Sequence, residues 1–169
     1  PAFRLALPYL ESAQKFNPEN AQLNLNIGVC MLKTSKMYDA LTFFLKAKQL
    51  EPAVSSKMDF YIGCGYQLNG ELISALASFN VYRNSLDRLN ASDLQEVDRK
   101  IVEVNNAIAL ADKPIAVKME NPGANINSPS GDYIPLISAD GEKLFFTSRR
   151  GKDGDDIDEY DGDFFEDVY

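Results

Sequence analysis

The chain has 169 residues, 45% of them hydrophobic, and a formal net charge of -8, which suits one ordinary globular domain or slightly more. It contains no His, so Ser-His-Asp and Cys-His catalysis and every His-based metal site are excluded. An acidic chain without a basic stripe is not expected to bind nucleic acid or an anionic membrane. Its apolar runs are too short for membrane insertion.

Residues 1–89 carry a pattern of small, bulky and proline residues that recurs about every 34 residues. The matching sets are Ala6, Leu10, Ala13 and Pro18, then Ala40, Phe44, Ala47 and Pro52, then Ala75, Phe79 and Tyr82. Small residues such as Gly28 and Gly63 are expected where two antiparallel helices touch, and Pro18 and Pro52 are expected to end helices. The pattern therefore predicts stacked helix pairs.

This pattern resembles the tetratricopeptide repeat, a pair of helices of about 34 residues. The resemblance covers one second helix and full repeats at 21–54 and about 56–89, although Asn24 and Asp59 replace the usual aromatic residue. It implies a concave face, built from the first helix of each repeat, that binds a partner helix or an extended peptide. The residues it places on that face are Gln22, Leu25, Val29, Leu32, Lys33, Lys57, Phe60, Cys64, Gln67 and Leu68.

Two observations limit the kind of partner. The following helix or the β segment could itself fill the groove, so this alternative stays open. The face offers Lys33 and Lys57 without an accompanying Asn or Arg, so the carboxylate clamp with which some members of the family hold heat-shock-protein tails is not expected.

The stretch "SDLQEVDRKIVEVNNAIALADKP" predicts a further helix of about five turns. Ser92 and Gln95 form a candidate capping box at its start. Its apolar stripe consists of Leu94, Val97, Ile101, Val104, Ile108 and Ala111. This helix is expected to cover the last open repeat, because such arrays need a terminal cap for solubility. Residues 1–112 are thus predicted to form a repeat domain with a capping helix.

The pattern changes after Pro114, and residues 113–169 are predicted to form a linker and a β segment. "IAVKMEN" favours a strand. "YIPLIS" and "KLFFTSR" flank the turn Asp140-Gly141, which is a strong hairpin signal. Pro135 weakens the first of these strands as a central strand. A two-stranded hairpin is marginal alone, so we expect it to belong to a larger sheet.

"SADGEKLFFTSRRG", with "EDVY" after an acidic loop, resembles one blade of a TolB-like (WD40-like) β-propeller. The matching residues are Ser138, Asp140, Gly141, Phe146, Thr147, Ser148, Arg149, Asp167 and Tyr169. The longer run "GANINSPSGDYIPLISADGEKLFFTSRR" is similar to the first blade of large outer-membrane-associated proteins of Bacteroidetes. These carry tetratricopeptide repeats, this propeller and often an OmpA-like domain that binds peptidoglycan. Some belong to the type IX secretion and gliding machinery.

The two resemblances together imply a mostly α fold: about 2.5 tetratricopeptide repeats and a capping helix, followed by the first blade of an incomplete β-propeller. The start at Pro1 without Met makes us expect a piece of a longer protein. The resemblance implies a non-catalytic scaffold in the periplasm, associated with the outer membrane, that contacts peptidoglycan only through a domain outside this chain. A cytoplasmic repeat adaptor and a regulatory domain of a propeller-containing hydrolase stay open.

No catalytic residue, cofactor or metal is expected. Ser148 has no base nearby in the sequence, and the loop 151–165 fails the spacing of an EF-hand. A looser calcium site in that loop stays open, but like-charge repulsion favours a solvated loop. Cys30 and Cys64 lie in apolar helical context and are expected to be small core residues, with a disulfide left open.

Overall fold

The computed structural model describes residues 2–87, 89–151, 156–158 and 164–169. The fold is mostly α, with a short antiparallel sheet of three strands near its end. The chain separates into two compact units, residues 3–115 and residues 116–169 together with 1–2. None of the helices in the described part of the chain has the length and apolar character needed to cross a bilayer.

The first unit consists of six helices joined by short connections. They are α1 (Ala2–Phe16), α2 (Ala21–Met31), α3 (Ala40–Leu50), α4 (Met58–Leu68), α5 (Leu72–Ser85) and α6 (Ala91–Ala111), with a 3-10 turn at Met37–Asp39. Each helix from α2 to α5 packs against the next one along the chain. Pro18 and Pro52 follow the ends of α1 and α3, as their inability to continue a helix predicts.

The predicted close approach of helices at glycine is confirmed. A Cβ atom built on Gly28 of α2 would lie 2.5 Å from the ring of Phe44 on α3, and one on Gly63 of α4 would lie 2.6 Å from the ring of Phe79 on α5. Both rings are fully buried. The same contact therefore recurs in the two helix pairs, and only glycine leaves room for the ring.

Two apolar clusters form the core of this unit. The first is built from α1 to α4 and includes Leu7, Ile27, Phe44 and Ile62. The second is built from α4 to α6 and includes Phe60, Phe79, Tyr82, Val97 and Val104. Helix α4 contributes to both clusters, so it links the two halves of the helical unit.

The stripe predicted on α6 is confirmed at its centre, where Val97 and Val104 are fully buried. The predicted capping box is wrong, because α6 begins at Ala91, two residues earlier than a cap at Ser92 requires, and Ser92 lies inside the helix. Asn90 is the N-cap residue and makes no side-chain capping hydrogen bond. Most of the stability of a helix in a protein comes from packing of its apolar face, so α6 forms without the predicted cap.

Asn24 has a structural role in the turn between α1 and α2. Its buried amide donates to the carbonyl oxygens of Pro18 at 3.0 Å and Asn20 at 2.8 Å. These bonds satisfy the backbone of the turn between α1 and α2. At the corresponding position, Asp59 accepts a hydrogen bond from Lys48 Nζ at 2.6 Å.

The predicted hairpin is confirmed in the second unit. Strand β1 (Asp132–Ile137) pairs antiparallel with β2 (Leu144–Ser148), which pairs antiparallel with β3 (Asp167–Val168). Gly141 in the turn has a φ of 75°, a value that glycine adopts readily. The register shifts between Tyr133 and Leu136, and Ile134 has a φ of 54°. Pro135 lies at this bulge, as its missing N–H favours.

The strand predicted at "IAVKMEN" is wrong, because residues 115–121 carry no regular secondary structure. A strand is stabilised by hydrogen bonds to a neighbouring strand, so residues with a high β-propensity do not form a strand without one.

Candidate functional site

One face of the helical unit brings together side chains from α2, α4 and α6. The thiol of Cys64 on α4 lies within electrostatic reach of Lys33 after α2 and of Lys100 and Glu103 on α6. Burial is the first cause that raises the pKa of Cys64 to about 11, so this thiol is protonated at neutral pH. Both cysteines are free thiols, and Cys30 is buried as expected.

The part of this face on α2 is a polar stripe. Gln22, Asn26, Val29 and Lys33 recur at steps of four, three and four residues, so they share one side of the helix and the turn that follows it. Gln22, Asn26 and Lys33 are exposed and Val29 is half-buried. Gln22 Nε2 donates to Asn26 Oδ1 at 2.9 Å. We call these four residues the α2 stripe.

Asn26 was missed by the sequence analysis, which placed Leu25 on the face instead. Leu25 is only 6% exposed and belongs to the first core cluster, and Phe60 is 7% exposed and belongs to the second. The prediction that these two side chains face a partner is therefore wrong. Helix α2 is apolar around most of its circumference, and most of its residues are buried. The pattern of polar and apolar residues along it therefore does not identify its exposed side. The weak signal was Asn26 itself, a polar residue among apolar ones.

The part of the face on α4 is occupied by α6. Lys57 Nζ donates to Asp93 Oδ1 at 2.6 Å, and Gln67 Nε2 donates to Glu103 Oε2 at 3.3 Å. Cys64 packs partly against the second core cluster. On this half of the face, the structure therefore agrees with the alternative that the sequence left open, in which the following helix fills the groove.

The remaining predicted members are Leu32 and Leu68, at the ends of α2 and α4. Both are half-buried, and Leu32 packs against the first core cluster. The structure therefore leaves Gln22, Val29 and Lys33 of the predicted set on the uncovered half of the face.

Charged side chains contribute to the contact between α4 and α6. The hydrogen bond from Lys57 is the first cause that lowers the pKa of Asp93, and the same bond raises the pKa of Lys57. Tyr82 also donates to Asp93, at 3.1 Å, and burial together with this bond raises the pKa of Tyr82 to about 12. One carboxylate at the start of α6 is therefore held by side chains of α4 and α5.

The β unit contains a second polar cluster, centred on Asp132. Its carboxylate accepts hydrogen bonds from Ser148 Oγ at 2.5 Å, from Arg150 Nη2 at 2.9 Å and from both Oγ and N of Ser128. The bond from Ser148 is the first cause that lowers the pKa of Asp132, and a carboxylate with a low pKa is a weak base. The cluster therefore joins β1 and β2 to the loop before them, with every member bonded.

The calcium candidate falls mostly outside the described residues, because 152–155 and 159–163 of the loop 151–165 are not among them. Among the residues that the structure does describe, no group of three or more acidic or Cys side chains could hold a metal ion. Comparison with models of protein families and with curated proteins found no match to this chain.

Proposed function

We propose that this chain is a non-catalytic protein–protein interaction scaffold and that the α2 stripe binds a partner protein. The observation that carries the proposal is the division of the face: α6 engages the α4 half through Lys57 and Gln67, whereas the α2 half presents two amides and a cation to solvent. Amide side chains can donate to and accept from an extended peptide or the polar side of a helix.

The proposal takes the helical unit as tetratricopeptide repeats with a terminal cap. Two features support this assignment beyond the period in the sequence. The contact of Gly28 with Phe44 recurs as the contact of Gly63 with Phe79, a repetition that stacked equivalent helix pairs require. Helix α6 then covers Phe60 and Phe79 as a terminal helix would.

We further propose that the β unit is the first blade of a propeller and that the protein works in the periplasm at the outer membrane, within an assembly of the type IX secretion kind. Support comes from the sequence resemblance and from the exposed apolar side chains of the sheet, which neighbouring blades would cover. These side chains are Ile134, Leu136, Ile137, Phe145 and Val168. Contact with peptidoglycan would come only through a domain outside this chain.

The binding proposal is tested by retention of partners from an envelope extract on the whole chain. The variant carries Asn26→Arg and Lys33→Glu, which change two exposed residues and leave the core intact. The control carries Thr42→Arg and Gln49→Glu on α3, which are equally exposed. All three chains should give the same circular dichroism.

The expected result is a protein that the parent and the control retain and the α2 variant loses by at least tenfold. Equal retention by all three chains would contradict the assignment of the α2 stripe. A loss in both variants would show that binding does not depend on this face in particular, and it would also contradict the assignment.

A further inference from the structure

The connection between α6 and the first strand is a long stretch of uncovered chain. Every residue from 111 to 125 is exposed, and Ile115, Val117 and Met119 are 81%, 71% and 91% exposed. Residues 114–120 carry no regular secondary structure, and none of the hydrogen bonds found among the described residues uses their backbone N–H or C=O groups. An enzyme can therefore bind this backbone without first opening a helix or a sheet.

We propose that this segment is a proteolysis site, cut after Lys118 by an endopeptidase whose substrate pocket takes a basic side chain. The reaction is a hydrolysis. One water molecule adds across the peptide bond between Lys118 and Met119, which leaves a new carboxylate on Lys118 and a new amino group on Met119. A pocket with a carboxylate at its base selects Lys or Arg before the broken bond. The proposal does not rest on the α2 stripe.

The side chain of Lys118 can enter such a pocket. It pairs with Glu120, and the two side chains are 83% and 67% exposed. An ion pair between exposed side chains contributes little to stability, so it does not hold Lys118 away from an enzyme. The other basic residue of the connection, Lys113, precedes Pro114. Because Pro has no N–H and a rigid ring, the bond after Lys113 is a poor substrate.

The other basic residues that the structure describes lie where the backbone is already bonded. Those in the helices take part in the hydrogen bonds of their helix. Outside the helices, a backbone hydrogen bond is donated by each of Lys33, Lys36, Lys57, Arg149 and Arg150.

Lys143 provides the closest comparison with Lys118. It is exposed in the hairpin turn, but its N–H donates to Ser138 Oγ at 2.9 Å and its carbonyl oxygen accepts from Ser138 N at 2.9 Å. A protease must break these bonds before it can bind the chain. The two lysines therefore differ in their backbone, although both side chains are exposed.

The cut leaves the packing contacts on either side of it intact. All members of the two apolar clusters lie between Phe3 and Ile108, and the three strands lie between Asp132 and Val168. Neither the clusters nor the sheet joins residues from both sides of the bond after Lys118. The first cut therefore exposes no buried apolar side chain of the clusters.

The test exposes the full chain to a trace of trypsin, which has a pocket of this kind, and identifies the products by mass spectrometry. The products 1–118 and 119–169 should form at least tenfold faster than those of a cut after any other described Lys or Arg, because local opening must precede the other cuts. A cut after one of those residues at a comparable rate would overturn the proposal.

Three variants with the same circular dichroism provide the controls. Lys118→Gln should slow the loss of the intact chain at least tenfold, and Lys118→Arg should keep the parent rate within about twofold. Lys143→Gln removes an exposed lysine whose backbone is bonded, so it should leave the rate unchanged. An unchanged rate in Lys118→Gln, or a slower loss in Lys143→Gln, would contradict the proposal.

Discussion

Replacing Gly28 with Ala should destabilise the helical unit through a clash with one ring. The new Cβ would lie 2.5 Å, 2.7 Å and 2.9 Å from the atoms Cε1, Cδ1 and Cζ of Phe44. The ring is fully buried, so it cannot turn into solvent, and α2 and α3 must move apart.

Two opposing effects set the magnitude. Forcing an extra carbon into a packed core costs about 1–3 kcal/mol, whereas Ala favours a helix interior over Gly by about 1 kcal/mol. Contacts this short place the cost at the upper end, so we expect a net loss of roughly 1–2 kcal/mol in the free energy of unfolding. Asn26→Ala, in the same helix but exposed, should be neutral or slightly stabilising.

The assay is urea unfolding followed by circular dichroism at the helical band, applied to Gly28→Ala, Phe44→Leu and the double variant. Shortening the ring to Leu removes the clash, so the double variant should be more stable than the sum of the single changes predicts by about 1 kcal/mol. Additivity within about 0.5 kcal/mol would refute the argument from the ring contact.

Three further predictions concern individual side chains. Asn24→Leu removes the amide that donates to the carbonyl oxygens of Pro18 and Asn20, although the Asn20 carbonyl still accepts the backbone N–H of residue 24. Urea unfolding should show a loss of about 1–3 kcal/mol; no loss would mean that water replaces the amide at Pro18. The lowered pKa of Asp93 stabilises the fold above the ordinary Asp pKa of about 4, and this contribution disappears as the pH falls through the lowered value. Thermal unfolding of Asp93→Asn should therefore depend less on pH below about 5 than that of the parent, and parallel curves would contradict this. Because the pKa of Cys64 is raised to about 11, its reaction with a thiol reagent at pH 8 should be on the order of 100-fold slower than that of a free cysteine peptide; a comparable rate would contradict the burial of the thiol.

The exposed side of α2 was decided by tertiary packing. The sequence predicts that α2 is a helix, because its glycine and apolar residues match those of α4 at the repeat spacing. It does not predict which of those residues are uncovered, since a helix enclosed by neighbours is apolar on nearly all sides. Leu25 and Phe60 are core residues for this reason, and Asn26 became recognisable on the face only when the neighbouring helices were in place.

What the sequence determined by itself is local: helices that stop before Pro18 and Pro52, glycine opposite a bulky ring, and a hairpin that turns at Asp140-Gly141. Each depends on the backbone freedom or size of one or two residues. What only the tertiary structure decided depends on a second element. Helix α6 covers half of the face through Asp93 and Glu103, and residues 115–121 remain without a strand. Burial and strand pairing need a partner surface, and no short stretch of sequence specifies where that surface will be.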